Sequence, residues 1–210
     1  MALLSTRKST TQARGRARRD ILLQAARQLL ETVELDALSL GDVAAHANVP
    51  KASAYHFFAN IHDLYIDLVR EIGGELREQL ADPIPEPMAR WQDVVAFSIA
   101  RGVRYYETNP AARQLLIGPK TPPDIKRSDR ANDIELGKLF ASQVEQFFQL
   151  PDLEEQPVLF FRAVEIADLM FCLSMMDSGR VTAAMGEEAT KAAIAYLEIY
   201  IPKILPPRMA

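Results

Sequence analysis

The chain holds a single cysteine, Cys172, so no disulfide can form within it, and a reducing compartment suits it. A nucleophilic or redox role for Cys172 is the less economical reading, because free cysteine is among the most buried residue types. No apolar run approaches the ~20 residues that a membrane helix needs. The longest, IADLMFCLSMM from Ile166 to Met176, carries Asp168 and reads as a buried helix. No strand-like alternation and no internal repeat is visible. There is no glycine-rich phosphate loop, nucleophile elbow or zinc-ligand spacing. Glu-x-x-His pairs of the kind that hold a di-iron centre are missing too, and the three histidines, His46, His56 and His62, all lie in the first third. Asp42 and His46 stand four apart and could share a metal, but a helix cap explains Asp42 more simply. No metal and no cofactor are expected. The basic start lacks the apolar stretch and cleavage site of a secretory signal, so the protein is expected to be cytoplasmic.

What is present is a soluble-type composition, 49% apolar and 25% charged over 210 residues, with a net charge of −4. That charge is unevenly spread. Residues 1–70 hold 9 Lys and Arg against 7 Asp and Glu, a net of +2, which leaves −6 for residues 71–210. Arg7, Lys8, Arg14, Arg16, Arg18 and Arg19 face only Asp20 in the first 20 residues. An acidic protein with a basic leading end can keep a polyanion contact there, while a solvated tail is the plain alternative.

Helical periodicity dominates, and the fold class is all-α. From Asp20 to Val33 the residues Ile21, Leu22, Ala25, Ala26, Leu29, Leu30 and Val33 form one broad stripe. Ser39 with Asp42 three residues later is an approximate capping box that opens a two-turn helix over Leu40–Ala47. Asn48 tolerates the left-handed backbone that ends a helix sharply, and Pro50 suits the first turn of the next. A longer helix follows Asn60, from about His62 to Leu80, and Gly73 and Gly74 mark a kink or close contact in it. About five more are expected: Met88 to Thr108, a short one from Ala111, Pro123 to Leu150, Leu153 to Met176 and Ala183 to Ile201, making about nine in all. Residues 1–19 are expected to be a disordered basic arm, 20–65 a helix-turn-helix domain, and 66–210 a larger helical domain.

VPKASAYHFFANIHDL, Val49 to Leu64, packs four aromatic rings into one and a half turns. On a helix, Ala54, Phe57 and Phe58 fall on one side and Lys51, Ser53, Tyr55 and His56 on the other. The first set can pack inward. The second is a donor-rich surface suited to phosphate oxygens and base edges in a major groove.

These stretches resemble the tetracycline-repressor (TetR) family of bacterial transcriptional regulators. The family's "A-G-V-S" turn is Ala47-Asn48-Val49-Pro50 here, its "K-G-T-L-Y-H-Y-F" is Lys51-Ala52-Ser53-Ala54-Tyr55-His56-Phe57-Phe58, and its "S-K-E-x-L" is Asn60-Ile61-His62-Asp63-Leu64. The resemblance implies that Ser39 and the segment Pro50, Lys51, Ala52, Ser53, Tyr55 and His56 approach double-stranded DNA, with Tyr55 on a phosphate. The family's phosphate-binding lysine is replaced by Ile61, and His62 is the neighbour that would take its place. Ala52 stands where the family has glycine in the recognition helix.

The resemblance further implies a homodimer, paired through the last two long helices, that binds a pseudo-palindromic operator. Candidate interface residues are Phe160, Phe161, Val164 and Phe171 on one helix and Ala189, Ala193, Tyr196 and Leu197 on the other. The middle helices would enclose a pocket for a small apolar or aromatic effector that releases DNA. Trp91, Phe97, Tyr105, Phe140, Phe147, Met170 and Met175 are available to line it, with Arg101 for an anionic group. An all-α enzyme and a helical scaffold that binds no DNA are the rival readings, and no membrane partner is expected.

Overall fold

The computed structural model describes residues 3–208, with side chains from Gly15 onward except those of residues 131 and 132. Nine α-helices occur among the described residues, none long and apolar enough to cross a membrane. The chain divides into two compact units, residues 1–68 and 69–210.

In the first unit α1 spans Leu3–Leu29, α2 Leu40–His46 and α3 Lys51–Phe57, and α4, Ile61–Leu80, begins there. The helix expected from Asp20 extends back through the basic segment, where the sequence predicts a disordered arm. The side chains of Arg7, Lys8 and Arg14 lie outside the described ones. Leu22, Ala26, Leu30, Val43, Ala54, Leu64 and Leu68 are no more than 1% exposed and form this unit's core. Burying one such leucine contributes about 1.5–3 kcal/mol. Tyr65, also buried, donates its hydroxyl to the Leu35 carbonyl at 3.0 Å and so ties down the loop after α1. Burial, with the charge of Asp36 beside it, holds that phenol protonated.

The turn between α2 and α3 is built locally. Asn48 has φ 53°, and Val49 and Asn48 donate their N–H groups to the carbonyls of Ala44 at 2.9 Å and Ala45 at 3.2 Å. This pair of bonds satisfies the orphan carbonyls of a helix end. Asn60 starts α4 by accepting the Asp63 N–H on its side chain at 3.0 Å.

The second unit contains the rest of α4, α5 (Trp91–Thr108), α6 (Pro110–Leu115), α7 (Pro123–Phe147), α8 (Gln156–Ser178) and α9 (Ala183–Leu197). α4 runs as one helix through Gly73 and Gly74, and a Cβ at Gly74 would meet nothing within 4 Å, so no close contact is made at Gly74. The close approach is instead at Gly137, where a Cβ would stand 2.5 Å from the Phe161 amide nitrogen. α7 and α8 cross backbone to backbone at that point. Ser98 links α5 to α7 by donating to Gln143 at 2.8 Å, and Gln143 in turn donates to the Leu80 carbonyl at 2.7 Å. α8, expected to be buried, leaves Leu169, Leu173 and Met176 exposed at 61%, 42% and 63%. These three sit at helical spacing and form one apolar stripe on the single chain.

Candidate functional site

α3 is held from below. Ala54 is fully buried and Phe58, in extended backbone at the C-cap, is 2% exposed, so the helix is pinned at its middle and at its C-terminal end. Phe57, expected to face inward, is only half-buried. It meets the His56 ring edge-on at a centroid distance of 5.5 Å and lies near Gly15 of α1. Phe58, just past the helix in extended backbone, takes the buried place instead. Arg19 sits over the Phe58 ring at 4.7 Å and pairs with Asp67, so this member of the basic segment braces α1 against α4. His46 bonds Gln28 at 3.0 Å and joins α2 to α1.

The outer face carries the expected groups. Pro50, Lys51, Ala52, Tyr55 and His56 are exposed, Tyr55 by 47%, and Ser53 is half-buried. His62 is exposed on the first turn of α4, beside a half-buried Ile61. Ser39 is exposed but already committed. Its hydroxyl donates to Asp42 at 2.5 Å and accepts the Asp42 N–H at 3.2 Å, while its own N–H donates to the same carboxylate at 3.0 Å. These bonds from Ser39, with Lys51 nearby, hold the Asp42 carboxyl below its usual range. A Cβ built at Gly41 would lie 3.4 Å from the Lys51 ammonium and 3.5 Å from Ser39 Oγ. The starts of α2 and α3 thus form one patch in which Lys51 offsets Asp42 and keeps exposed N–H donors.

In the second unit, residues expected to line a pocket scatter. Phe140 does line a cavity. Trp91 is fully buried and donates its indole N–H to the Pro202 carbonyl at 2.9 Å, and Tyr105 donates to the Ile72 carbonyl at 3.2 Å, so both are core anchors. Arg101, expected to receive an anion, caps the end of α4 by donating to the carbonyls of Asp82 and Pro83 and stacks on Phe97 at 4.5 Å. Phe147 borders a surface groove near the C-terminal segment, and Met170 and Met175 are half-buried on α8 away from the cavity walls. The interface candidates need correction as well. Phe160, Val164, Phe171, Ala189, Ala193 and Leu197 are each at most 6% exposed within one chain, because they fill the contacts of α8 with α7 and α9. Phe161 lies at the Gly137 crossing and Tyr196 is half-buried.

An apolar cavity opens between α4, α5, α7 and α8, and a polar one adjoins it between α7 and α8. The apolar one is walled by Leu76, Ile99, Tyr106, Phe140, Val164 and Phe171, and the polar one, of about 160 Å³, by Lys126, Asp129, Asp133 and Glu165. Asp168 borders both. Burial first, and the neighbouring carboxylates second, push Asp133 up to about 10 and Asp168 up to about 7. In the sequence Asp168 figured only as a charge interrupting an apolar run, and Asp129 and Asp133, four apart on α7, passed unnoticed.

A sequence model of the "Tetracyclin repressor-like, C-terminal domain" matches residues 89–200, and one of the "Bacterial regulatory proteins, tetR family" matches residues 22–68. The chain belongs to the TetR family. Solved structures agree in fold. A TetR-family transcriptional regulator from Streptomyces coelicolor superposes with a TM-score of 0.67 at 22% identity, covering 87% of this chain and 98% of that one. One from Rhodococcus sp. RHA1 gives 0.63 at 17% identity, covering 87% and 96%. A structure of the multidrug binding protein EbrR complexed with ethidium gives 0.58 at 20% identity, covering 85% and 98%. TetR-family regulators are DNA-binding transcription factors without enzymatic activity, which sets the all-α enzyme aside. Every residue of the α2–α3 surface lies inside the N-terminal match, and both cavities have most of their wall inside the C-terminal one.

Proposed function

We propose that this TetR-family protein is a repressor that binds a pseudo-palindromic operator as a homodimer and is released by a small-molecule effector. The observation that carries the reading is the outer face of α3, where Lys51, Tyr55 and His56 stand exposed above the buried Ala54 and Phe58. A rigid, donor-rich helix of 7 residues suits end-on insertion into a major groove about 12 Å wide. Tyr55 and Lys51 hold phosphates, His56 and Ser53 reach base edges, and His62 serves the phosphate that Ile61 cannot. Ser39 keeps α2 capped and lends no proton to DNA while its hydroxyl serves Asp42.

Two reading heads are needed for two half-sites. The stripe of Leu169, Leu173 and Met176 on α8 supports pairing through that helix, since a monomer gains nothing by exposing it. The cavities between α4, α5, α7 and α8 support an effector. An effector that prefers heads spaced wrongly for one DNA turn weakens operator affinity by the factor by which operator weakens its own.

Selection of bound sequences from a random duplex pool tests the reading. An inverted repeat enriched by the native protein and lost by a Tyr55→Phe, His56→Ala double variant is expected. Equal enrichment by both proteins, or none by either, rejects it.

A further inference from the structure

The two cavities meet at Asp168, which lines both, and make up a chamber of two chemistries. Its apolar part, about 30 Å³, offers Ile99, Phe140 and Phe171, and its polar part holds Asp129, Asp133 and Asp168 with carboxylate oxygens within 4.8 Å of one another. Asp129 and Asp133 are 3% and 6% exposed. Three carboxylates so close in a poorly solvated site repel one another.

Cations also stand on the chamber wall. Lys126 donates its ammonium to the Leu116 carbonyl and offsets part of the charge on Asp133 and Asp168, and Arg130 pairs with Glu165 at 3.3 Å. Asp133 takes part in no hydrogen bond among the described residues. Nor does the hydroxyl of Tyr106, which is 3% exposed, lies on the apolar wall with Asp168, and feels the charge of all three carboxylates. Both groups face the cavities, where a bound partner can pair with them. The missing partner must supply positive charge and N–H donors at one end and apolar surface at the other.

We infer that this chamber binds an organic cation, an apolar or aromatic body bearing a protonated amine or amidinium, with its charged head among Asp129, Asp133 and Asp168 and its body against Phe140 and Phe171. The inference rests on the effector reading above and names the chemical class of that effector. A bare metal ion would use the carboxylates and leave the apolar end and the Tyr106 hydroxyl idle. An anionic effector meets the wrong sign of charge.

Calorimetric titration of the full chain with 4-phenylbutylamine, its neutral isostere 4-phenylbutanol, and Mn²⁺ alone provides the test. The amine is expected to bind at least tenfold more tightly than the alcohol. Asp168→Asn is expected to reduce that preference at least tenfold. Its side chain keeps the shape while removing a buried charge, and its melting temperature, taken in the same buffer, checks that it folds. Equal binding of amine and alcohol, binding of Mn²⁺ without the amine, no binding of either organic probe, or a preference that survives in a folded Asp168→Asn protein each overturns the inference. Duplex binding by the native chain is measured separately. Its loss would reject the regulator and leave the amine preference standing, whereas a missing preference leaves the regulator intact.

Discussion

Gly137→Ala tests the packing of α7 on α8 beside the proposed effector chamber. The added Cβ would stand 2.5 Å from the Phe161 nitrogen and 2.7 Å from its Cα, both backbone atoms of α8. Ordinary contact begins near 3.4 Å, so the two helices must separate by close to an ångström. Overpacking of this kind costs about 1–3 kcal/mol. The better helix propensity of alanine returns up to ~1 kcal/mol. A net loss of about 1–2 kcal/mol remains, and for a protein of this size each kcal/mol lowers the melting temperature by about 2–4 °C. Asp133 lies one turn before Gly137 on α7, so opening the crossing also draws it away from Asp168 on α8. Thermal melting followed by circular dichroism is expected to shift down by roughly 2–8 °C, with weakened 4-phenylbutylamine binding. A melting temperature equal to or above that of the native chain would mean that helix propensity wins and that the crossing is not tight, which refutes the reasoning.

Three further outcomes are expected. Asn48→Ala forces an alanine into a backbone with φ 53° and should cost about 1–2 kcal/mol in a denaturant titration, whereas Asn48→Gly should change stability by less than about 1 kcal/mol; equal losses in both would contradict the turn. Asp168 and Asp133 titrate in the folded state at about 7 and about 10, above their unfolded value near 3.9, so the folded protein retains protons that the unfolded chain has released. Their contribution is therefore full in acid and is lost as pH rises from about 4 toward 10; stability should fall by about 4 kcal/mol between pH 6 and 8, less steeply in Asp168→Asn, and a rise over that interval would refute the buried trio. Leu169→Glu with Met176→Glu should convert a dimer to a folded monomer in light scattering, and a dimer that persists would place the interface elsewhere.

How much of this was legible in the sequence depended on whether the controlling interaction was local. The starts of α2 and α3 follow from Ser39, Asp42, Asn48 and Pro50, each acting within four residues, and the sequence yields α2 to within a residue. The exposed Tyr55 and His56 followed from helical periodicity, but the half-buried Phe57 did not, because only three dimensions reveal that Phe58 fills the available space. Phe160, Phe171 and Ala189 show the limit of composition. An apolar residue on α8 or α9 can face its own chain or a partner, and these face their own. Arg101 looked like an anion ligand and is a cap, since the carbonyls it serves lie about twenty residues earlier. The Asp129, Asp133 and Asp168 cluster had a faint signal, two aspartates four apart on one helix and one within an apolar run, but nothing in the chain order joined them.

The most direct test of the account is an anisotropy titration of the enriched inverted repeat over a series of salt concentrations, with the native chain, Tyr55→Phe and Lys51→Ala. A surface that grips phosphate through these groups predicts at least a tenfold loss of affinity for Tyr55→Phe at unchanged melting temperature, and a log-log salt slope shallower by about 1 per half-site for Lys51→Ala. Native affinity in Tyr55→Phe together with an unaltered slope in Lys51→Ala would contradict it.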